Sequence, residues 1–227
     1  RAVTNYGCAD TAVKWIRVGA MPEVSFYTND QGQCFRDQDF IFFNTSNILE
    51  GDYNLTWNFN NNNWIKSNND QKFTFTDTGS QLIRLVAVSD LGCSDSMTQS
   101  LFVNPNPKSI LNINDSDQCI NAQDFIFKAQ SNISRGKIIS HQWNLDEGDL
   151  RMNGSDSERK IYASSGFKTI HLVNVSDSGC MDSATKIIRV YPKPMPRMTV
   201  NDSAQCLFQN QYIFSDVSED SFGVINR

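Results

Sequence analysis

The feature that most constrains this chain is an internal repeat. The segment Val3-Thr4-Asn5-Tyr6-Gly7-Cys8-Ala9-Asp10-Thr11 returns as Val88-Ser89-Asp90-Leu91-Gly92-Cys93-Ser94-Asp95-Ser96 and as Val175-Ser176-Asp177-Ser178-Gly179-Cys180-Met181-Asp182-Ser183, at separations of 85 and 87 residues. A second block, Gln33-Cys34 followed by Asp39-Phe40-Ile41-Phe42, recurs at the same separations. Its copies are Gln118-Cys119 with Asp124-Phe125-Ile126-Phe127, and Gln205-Cys206 with Gln211-Tyr212-Ile213-Phe214. Each period is long enough for one small domain. Two complete units are expected, 20–104 and 105–191, flanked by the tail of a preceding unit (1–19) and the head of a further one (192–227). The seams carry Pro105 and Pro107, then Pro192, Pro194 and Pro196. Proline fixes φ, so these predict stiff, extended linkers.

Within the first unit, alternating or β-branched runs fall at Glu23 to Thr28, Asp39 to Asn44, Tyr53 to Phe59, Gln71 to Thr76, Gln81 to Ser89 and Met97 to Val103, separated by Gly, Asn and Asp turns. Six or seven short strands per unit predict an all-β sandwich. Comparing copies shows which side faces inward. Phe40 and Phe42 match Phe125 and Phe127, whereas Phe43 gives way to Lys128 and Ser215, so the first four are assigned to the core. Trp57 and Trp143 are the large side chains expected from the facing sheet. Trp64 has no place in that core.

Charge and composition exclude several functions. With 20 Lys and Arg against 25 Asp and Glu, the formal net charge is −5 and the basic residues are scattered singly, so nucleic acid is not an expected partner. No apolar run reaches the roughly 20 residues of a membrane helix. No phosphate-cradling glycine loop, nucleophile elbow or zinc-protease motif is present, and the chain is expected not to be an enzyme. Asp146, Glu147 and Asp149 form the one tight acidic cluster, with no counterpart in the first unit, and read as a solvated turn. His141 and His171 occupy the strand positions of Leu55 and Arg84, with no orienting acid evident beside them. No cofactor is expected. Calcium at a domain joint, held by Asp115 and Asp117 with Asn201 and Asp202, is the alternative.

The order Trp143-Asn144-Leu145-Asp146-Glu147-Gly148-Asp149, then Tyr162, Gly166 and Ile170-His171-Leu172-Val173, resembles the polycystic-kidney-disease (PKD) domain, an immunoglobulin-like sandwich. The first unit has Trp57-Asn58-Phe59-Asn60-Asn61-Asn62 at the same place. The variant with Gly-Cys-x-Asp-Ser or Gly-Cys-x-Asp-Thr after the sixth strand, and Gln-Cys before the second, is similar to the repeat arrays of giant Bacteroidota surface proteins, including gliding-motility adhesins exported by type IX secretion. The resemblance implies tandem sandwiches in a rod-like array at the cell surface, acting as a structural or adhesive spacer. The partners implied are neighbouring repeats of the same chain, and a surface polysaccharide or other surface proteins. A carbohydrate-binding module accompanying a secreted hydrolase is the alternative. The Asp-Ser/Thr-small-apolar sites are similar to O-glycosylation sites of Bacteroidota and mark Thr11, Ser96, Ser183 and Ser203; an Asp-Ser turn is the competing reading.

Six cysteines at regular positions in such a chain predict disulfides in an oxidising compartment. In an immunoglobulin-like sandwich the first-to-second strand corner and the sixth-to-seventh strand hairpin lie at opposite ends, which disfavours Cys34 with Cys93. In a head-to-tail array the corner of one unit faces the hairpin of the next. The expected bridge is therefore Cys34 to Cys180, with Cys8, Cys93, Cys119 and Cys206 paired to repeats outside this segment. An intradomain pattern, Cys34 to Cys93 and Cys119 to Cys180, is the alternative.

Overall fold

A computed structural model describes residues 1–60, 63–221 and 223–225. Asn61 and Asn62 of the first unit's Asn run lie outside the described residues. The chain divides into two compact units, Arg1–Asn104 and Pro105–Arg227. Every element among the described residues is a strand, bridge or turn.

The first unit opens with a short ribbon, β1 (Ala2–Val3) and β2 (Ala9–Asp10). Eight strands follow: β3 (Phe26–Thr28), β4 (Gly32–Cys34), β5 (Phe40–Asn44), β6 (Tyr53–Phe59), β7 (Asn63–Lys66), β8 (Gln71–Phe73), β9 (Gly79–Ser89) and β10 (Ser94–Asn104). They form a three-stranded sheet in the order β3-β5-β8 and a five-stranded sheet in the order β4-β10-β9-β6-β7. The second unit repeats this with β11 (Leu111–Ile113), β12 (Asp117–Cys119), β13 (Phe125–Ala129), β14 (Ile138–Asn144), β15 (Leu150–Gly154), β16 (Ser157–Lys160), β17 (Gly166–Ser176) and β18 (Met181–Tyr191), ordered β11-β13-β16 and β12-β18-β17-β14-β15. A last pair, β19 (Met198–Val200) and β20 (Phe214–Asp216), reproduces the β3–β5 pairing, down to the bridge Met195↔Glu219 that matches Glu23↔Asn47 and Lys108↔Asn132. The strand orders are those of immunoglobulin-like sandwiches. In each unit the first edge crosses between sheets, so that β4 and β12 pair in parallel with the final strands β10 and β18.

Eight strands per unit exceed the six or seven expected. The additions, β4 and β7, lack the alternating apolar pattern that marks a strand in sequence: Gly32-Gln33-Cys34 becomes extended by pairing with β10, and Asn63–Lys66 by pairing with β6. The hairpins β9–β10 and β17–β18 are longer than their apolar runs, eleven residues per strand, because the ladder continues through Ser94, Asp95 and Ser96.

The core lies between the two sheets of each unit. In the first, Phe40 and Phe42 from the small sheet meet Trp57 and Phe59 from the large one, all fully buried. The Trp57 ring receives Phe26 edge-on at 5.2 Å, and Phe59 stacks on Phe73 at 4.3 Å. Offset and edge-to-face contacts of this kind add to the free energy of removing the rings from water. The second core is built on Phe125, Phe127, Trp143, Leu145 and Tyr162. Trp64 is 58% exposed on β7, on the outer face of the large sheet.

Truncating Trp57 leaves a cavity at the centre of a small core. Trp57→Ala is expected to destabilise the first unit by about 3–5 kcal/mol, and Trp64→Ala by less than about 0.5 kcal/mol. Urea denaturation of the two variants tests the assignment, and comparable losses would contradict it.

Candidate functional site

The two repeated sequence blocks fold into two repeated devices at opposite poles of each unit. The first is the corner between β3 and β5. Asn29 accepts from the Ile41 N–H (3.0 Å) through Oδ1 and donates to the Asp39 carbonyl (2.8 Å) through Nδ2. Gln33 grips the same residue: its Nε2 donates to the Asp39 carbonyl (3.2 Å) and its Oε1 accepts from the Asp39 N–H (2.5 Å). Asn114 and Gln118 treat Ile126 and Asp124 in the same way, and Asn201 and Gln205 do so with Ile213 and Gln211. Gln38 and Gln123 complete the corner by exchanging two hydrogen bonds with the backbones of Phe75 and Tyr162. Each bond to an otherwise unpaired backbone group stabilises by about 1 kcal/mol. Cys34, Cys119 and Cys206 follow the clamping glutamine, so each is carried on a fixed backbone.

The second device is the hairpin between β9 and β10. Gly92 adopts φ 84°, and Gly7 and Gly179 adopt 81° and 78° in the equivalent turns. In each copy the hydroxyl four residues before the cysteine accepts from the cysteine N–H: Thr4 to Cys8 at 3.3 Å, Ser89 to Cys93 at 3.0 Å and Ser176 to Cys180 at 3.0 Å. The glycine takes the left-handed position that such loops require. The recurrent Ser/Thr-x-x-Gly-Cys spacing is therefore a turn that sets a cysteine at a hairpin tip.

Within the first unit these devices are far apart. Cys34 is opposite Asn104 at the end of β10, whereas Cys93 precedes Ser94 at its start. Eleven extended residues separate them by about 33 Å, and a disulfide needs Cα atoms within about 7 Å. Cys119 and Cys180 are separated in the same manner along β18. Cys34 and Cys180 are in the disulfide form, while Cys8, Cys93, Cys119 and Cys206 carry free thiols. The intradomain pattern is thus not adopted.

Two readings of the sequence are corrected. Asp146, Glu147 and Asp149 do form a turn, with Glu147 exposed, but their carboxylates are engaged by cations and backbone N–H groups rather than by solvent alone. Glu147 accepts from Lys168 (2.7 Å) and Ser164 (2.6 Å), chiefly the former, which brings its carboxyl down to about 2. Asp149 is brought to about 2 foremost by Arg151, and also by Lys160. Asp146 is lowered by the Thr169 and Glu147 N–H groups. Carboxylates held this low do not act as general acids near neutral pH. The first unit occupies the same place with a neutral pair, Asn60 donating to Gln81. Nor does His141 lack an acid: its Nε2 lies 2.9 Å from Asp156, and its Nδ1 lies 2.5 Å from Asn174 Oδ1. Asn174 donates both amide hydrogens, to Ser109 and Ser131, which leaves Oδ1 to accept the Nδ1–H of the imidazole. His171 Nδ1 bonds Thr185 (2.8 Å) on the outer face.

Thr11, Ser96, Ser183 and Ser203 are all exposed. The aspartates that precede Ser96 and Ser183 do not form turns. Asp95 accepts from the Val24 N–H (3.0 Å) and Asp182 from the Ser109 N–H (2.8 Å), pinning the start of each unit to its last strand. Asp115 and Asp202 cap their own corners, accepting from Asp117 and Ala204 N–H groups, while Asp117 receives the Ser116 and Tyr191 hydroxyls. Among the described residues no three His, Cys, Asp or Glu side chains gather as metal ligands.

No family model matches this chain, and no curated protein matches it. Solved structures do. The PKD1 domain of Vibrio anguillarum Epp is 20% identical over 38% of this chain and 96% of its own, with a TM-score of 0.33. The fibronectin(III)-like modules of Clostridium thermocellum CbhA are 15% identical over 75% and 95%, with a TM-score of 0.38. A structure of a 1.5-MDa bacterial ice-binding adhesin is 8% identical over 82% and 70%, also with a TM-score of 0.38. The immunoglobulin-like assignment stands on the strand order and pairing described above.

The ionic cluster makes the second unit acid-sensitive. Glu147 and Asp149 titrate near 2 when folded and near the ordinary carboxylate value of about 4 when unfolded, so their contribution is complete above about pH 5 and is lost as pH falls towards 2. Urea midpoints of the second unit are expected to fall over that window. Glu147→Gln is expected to lower the slope by about one proton, and an unchanged slope would count against this role.

Proposed function

We propose that this chain is a spacer segment of a long extracellular repeat protein, a cell-surface adhesin or filament of the gliding-motility kind, made by Bacteroidota and exported by type IX secretion. The observation that carries the reading is the placement of the oxidised cysteines. Cys34 is held by a clamped corner and Cys180 by a hydroxyl-capped hairpin, devices that repeat at the two poles of equivalent units. In a head-to-tail array a corner of one unit meets the hairpin of the next, and we assign the bridge Cys34 to Cys180 on that basis. Closing so long a loop stabilises by on the order of 4–5 kcal/mol in the chain-entropy model. Its mechanical consequence is greater, since a covalent staple stops the Pro-bearing linker from acting as a hinge.

Cys8, Cys93, Cys119 and Cys206 pair, in this reading, with repeats beyond the segment, and residues 1–19 and 192–227 belong to such repeats. Glycans on Thr11, Ser96 and Ser183 flank the hairpins and one on Ser203 flanks a corner, which the exposure of all four hydroxyls permits. The role is non-enzymatic, a reading supported by the neutralised acid cluster of the second unit.

Non-reducing peptide mapping of the native protein by mass spectrometry tests the staple. The Cys34 peptide is expected joined to the Cys180 peptide, with hexose-bearing mass additions on the four hydroxyl peptides. A Cys34 to Cys93 crosslink would remove the staple and leave independent modules.

A further inference from the structure

The outer face of the first unit's large sheet carries an exposed tryptophan, Trp64, with Lys66 two residues along the same strand. The side chains that alternate outward on β6, β7, β9 and β10 include no carboxylate, on a chain of net charge −5. Strand register sets Trp64, Asn58, Arg84 and Thr98 in one row across four strands. The next row is Lys66, Thr56, Val86 and Ser96. Arg84 is oriented by donating to Ser96 Oγ at 3.3 Å, and both Arg84 and Lys66 are exposed beside the indole. A cavity of about 570 Å³ opens on the same face, lined by Asn54, Thr56, Lys66, Ser67 and Asn68 together with Leu55 and Val88. That volume lies within the range of small-ligand sites.

The second unit supplies the contrast on the same strand order. Its equivalent row is Leu150, Asn144, His171 and Thr185, so a leucine replaces the tryptophan and a histidine the arginine, and Met152 stands where Lys66 does. Trp64, Lys66, Arg84 and the cavity thus occur together in the first unit, whereas the second unit's outer face carries its aromatic and cation elsewhere, Arg189 over the Phe167 ring. A structural requirement of the fold would appear in both.

We propose that this face of the first unit binds an acidic polysaccharide, with the Trp64 indole stacked on the C–H face of a sugar ring and Lys66 and Arg84 pairing with its carboxylate or sulfate groups. The exposed indole supplies a flat apolar platform with a π-face. Thr56 and Thr98 on the same face suit hydroxyls, and a carboxylate-free face with two cations selects for negative charge. The assignment is independent of the spacer reading: a stapled segment without glycan affinity and a glycan-binding segment without a staple are separate outcomes.

Affinity electrophoresis of the full chain through gels containing polygalacturonate, dextran sulfate or neutral dextran tests it. Retardation is expected in at least one acidic gel and not in dextran; the polymer bound identifies the anionic group. Trp64→Ala is expected to weaken binding by about tenfold or more, and Arg84→Glu, on a different strand with the indole intact, by at least as much. Unchanged melting temperatures show that both variants remain folded, as the exposure of these residues predicts. Several results would overturn the proposal: no retardation by either polyanion, equal retardation in dextran, or retardation by a polyanion that survives Trp64→Ala.

Discussion

The small sheet of each unit depends on side-chain amides. Its strands are three to five residues long, and β3 and β8 flank β5 with only three paired positions each. A ladder so short leaves backbone groups at the corners without strand partners, and an unpaired buried group costs more than a typical hydrogen bond returns. Asn29, Gln33 and Gln38 take up those groups in the first unit, and Asn114, Gln118 and Gln123 in the second. Once the corner is fixed, Phe40 and Phe42 are presented to Trp57, and the two sheets close on one core. The richness in Asn and Gln, which reads in sequence as a tendency to turns, is here the means of holding a sandwich of about 85 residues together.

On this frame the two units solve the same positions with different chemistry. The Val24, Leu55 and Ala87 corner of the first core becomes Ser109, His141 and Asn174 in the second, a polar network in which Asn174 is fully buried and fully bonded. Asp146 takes the place of Asn60 and Lys168 that of Gln81, and Lys168 pairs with Glu147. Each substitution is complete in itself: the polar version brings partners for every atom it buries, and the apolar version brings none that need them. The copies therefore tolerate divergence by whole clusters, and the second unit gains a dependence on pH that the Asn60–Gln81 pair does not confer.

Much of the frame was legible in the sequence, because a repeated block exposes its own constraints. The two-residue step of Phe40 and Phe42 and of Trp57 and Phe59 marks inward faces directly. What escaped were elements and contacts made by partners distant in the chain. β4 is extended through pairing with β10, about seventy residues later, and nothing in Gly-Gln-Cys announces it. Asp156 reaches His141 from the turn between β15 and β16, a juxtaposition that periodicity does not encode. The Gln-Cys and Gly-Cys blocks were visible as cysteine positions. The roles of Gln33 as a clamp and Ser89 as a hydroxyl cap emerge only from the hydrogen bonds.

The distribution of repeated and unrepeated features carries a functional argument. Corner and hairpin recur nearly atom for atom in three copies, including the hydroxyl cap on the cysteine and the glutamine clamp on the corner. The outer sheet faces differ at equivalent positions, with Trp64 and Arg84 in the first unit where the second has Leu150 and His171. In the proposed head-to-tail array, poles that link one unit to the next must be interchangeable, since every unit would present the same joint to its neighbours. Faces make no such demand, because the inward side chains already satisfy the fold and the outward ones are free to differ. On that proposal, a chain that joins through its poles and varies on its faces can carry a binding site on one unit without altering the joint, and Trp64, Lys66 and Arg84 lie on such a face.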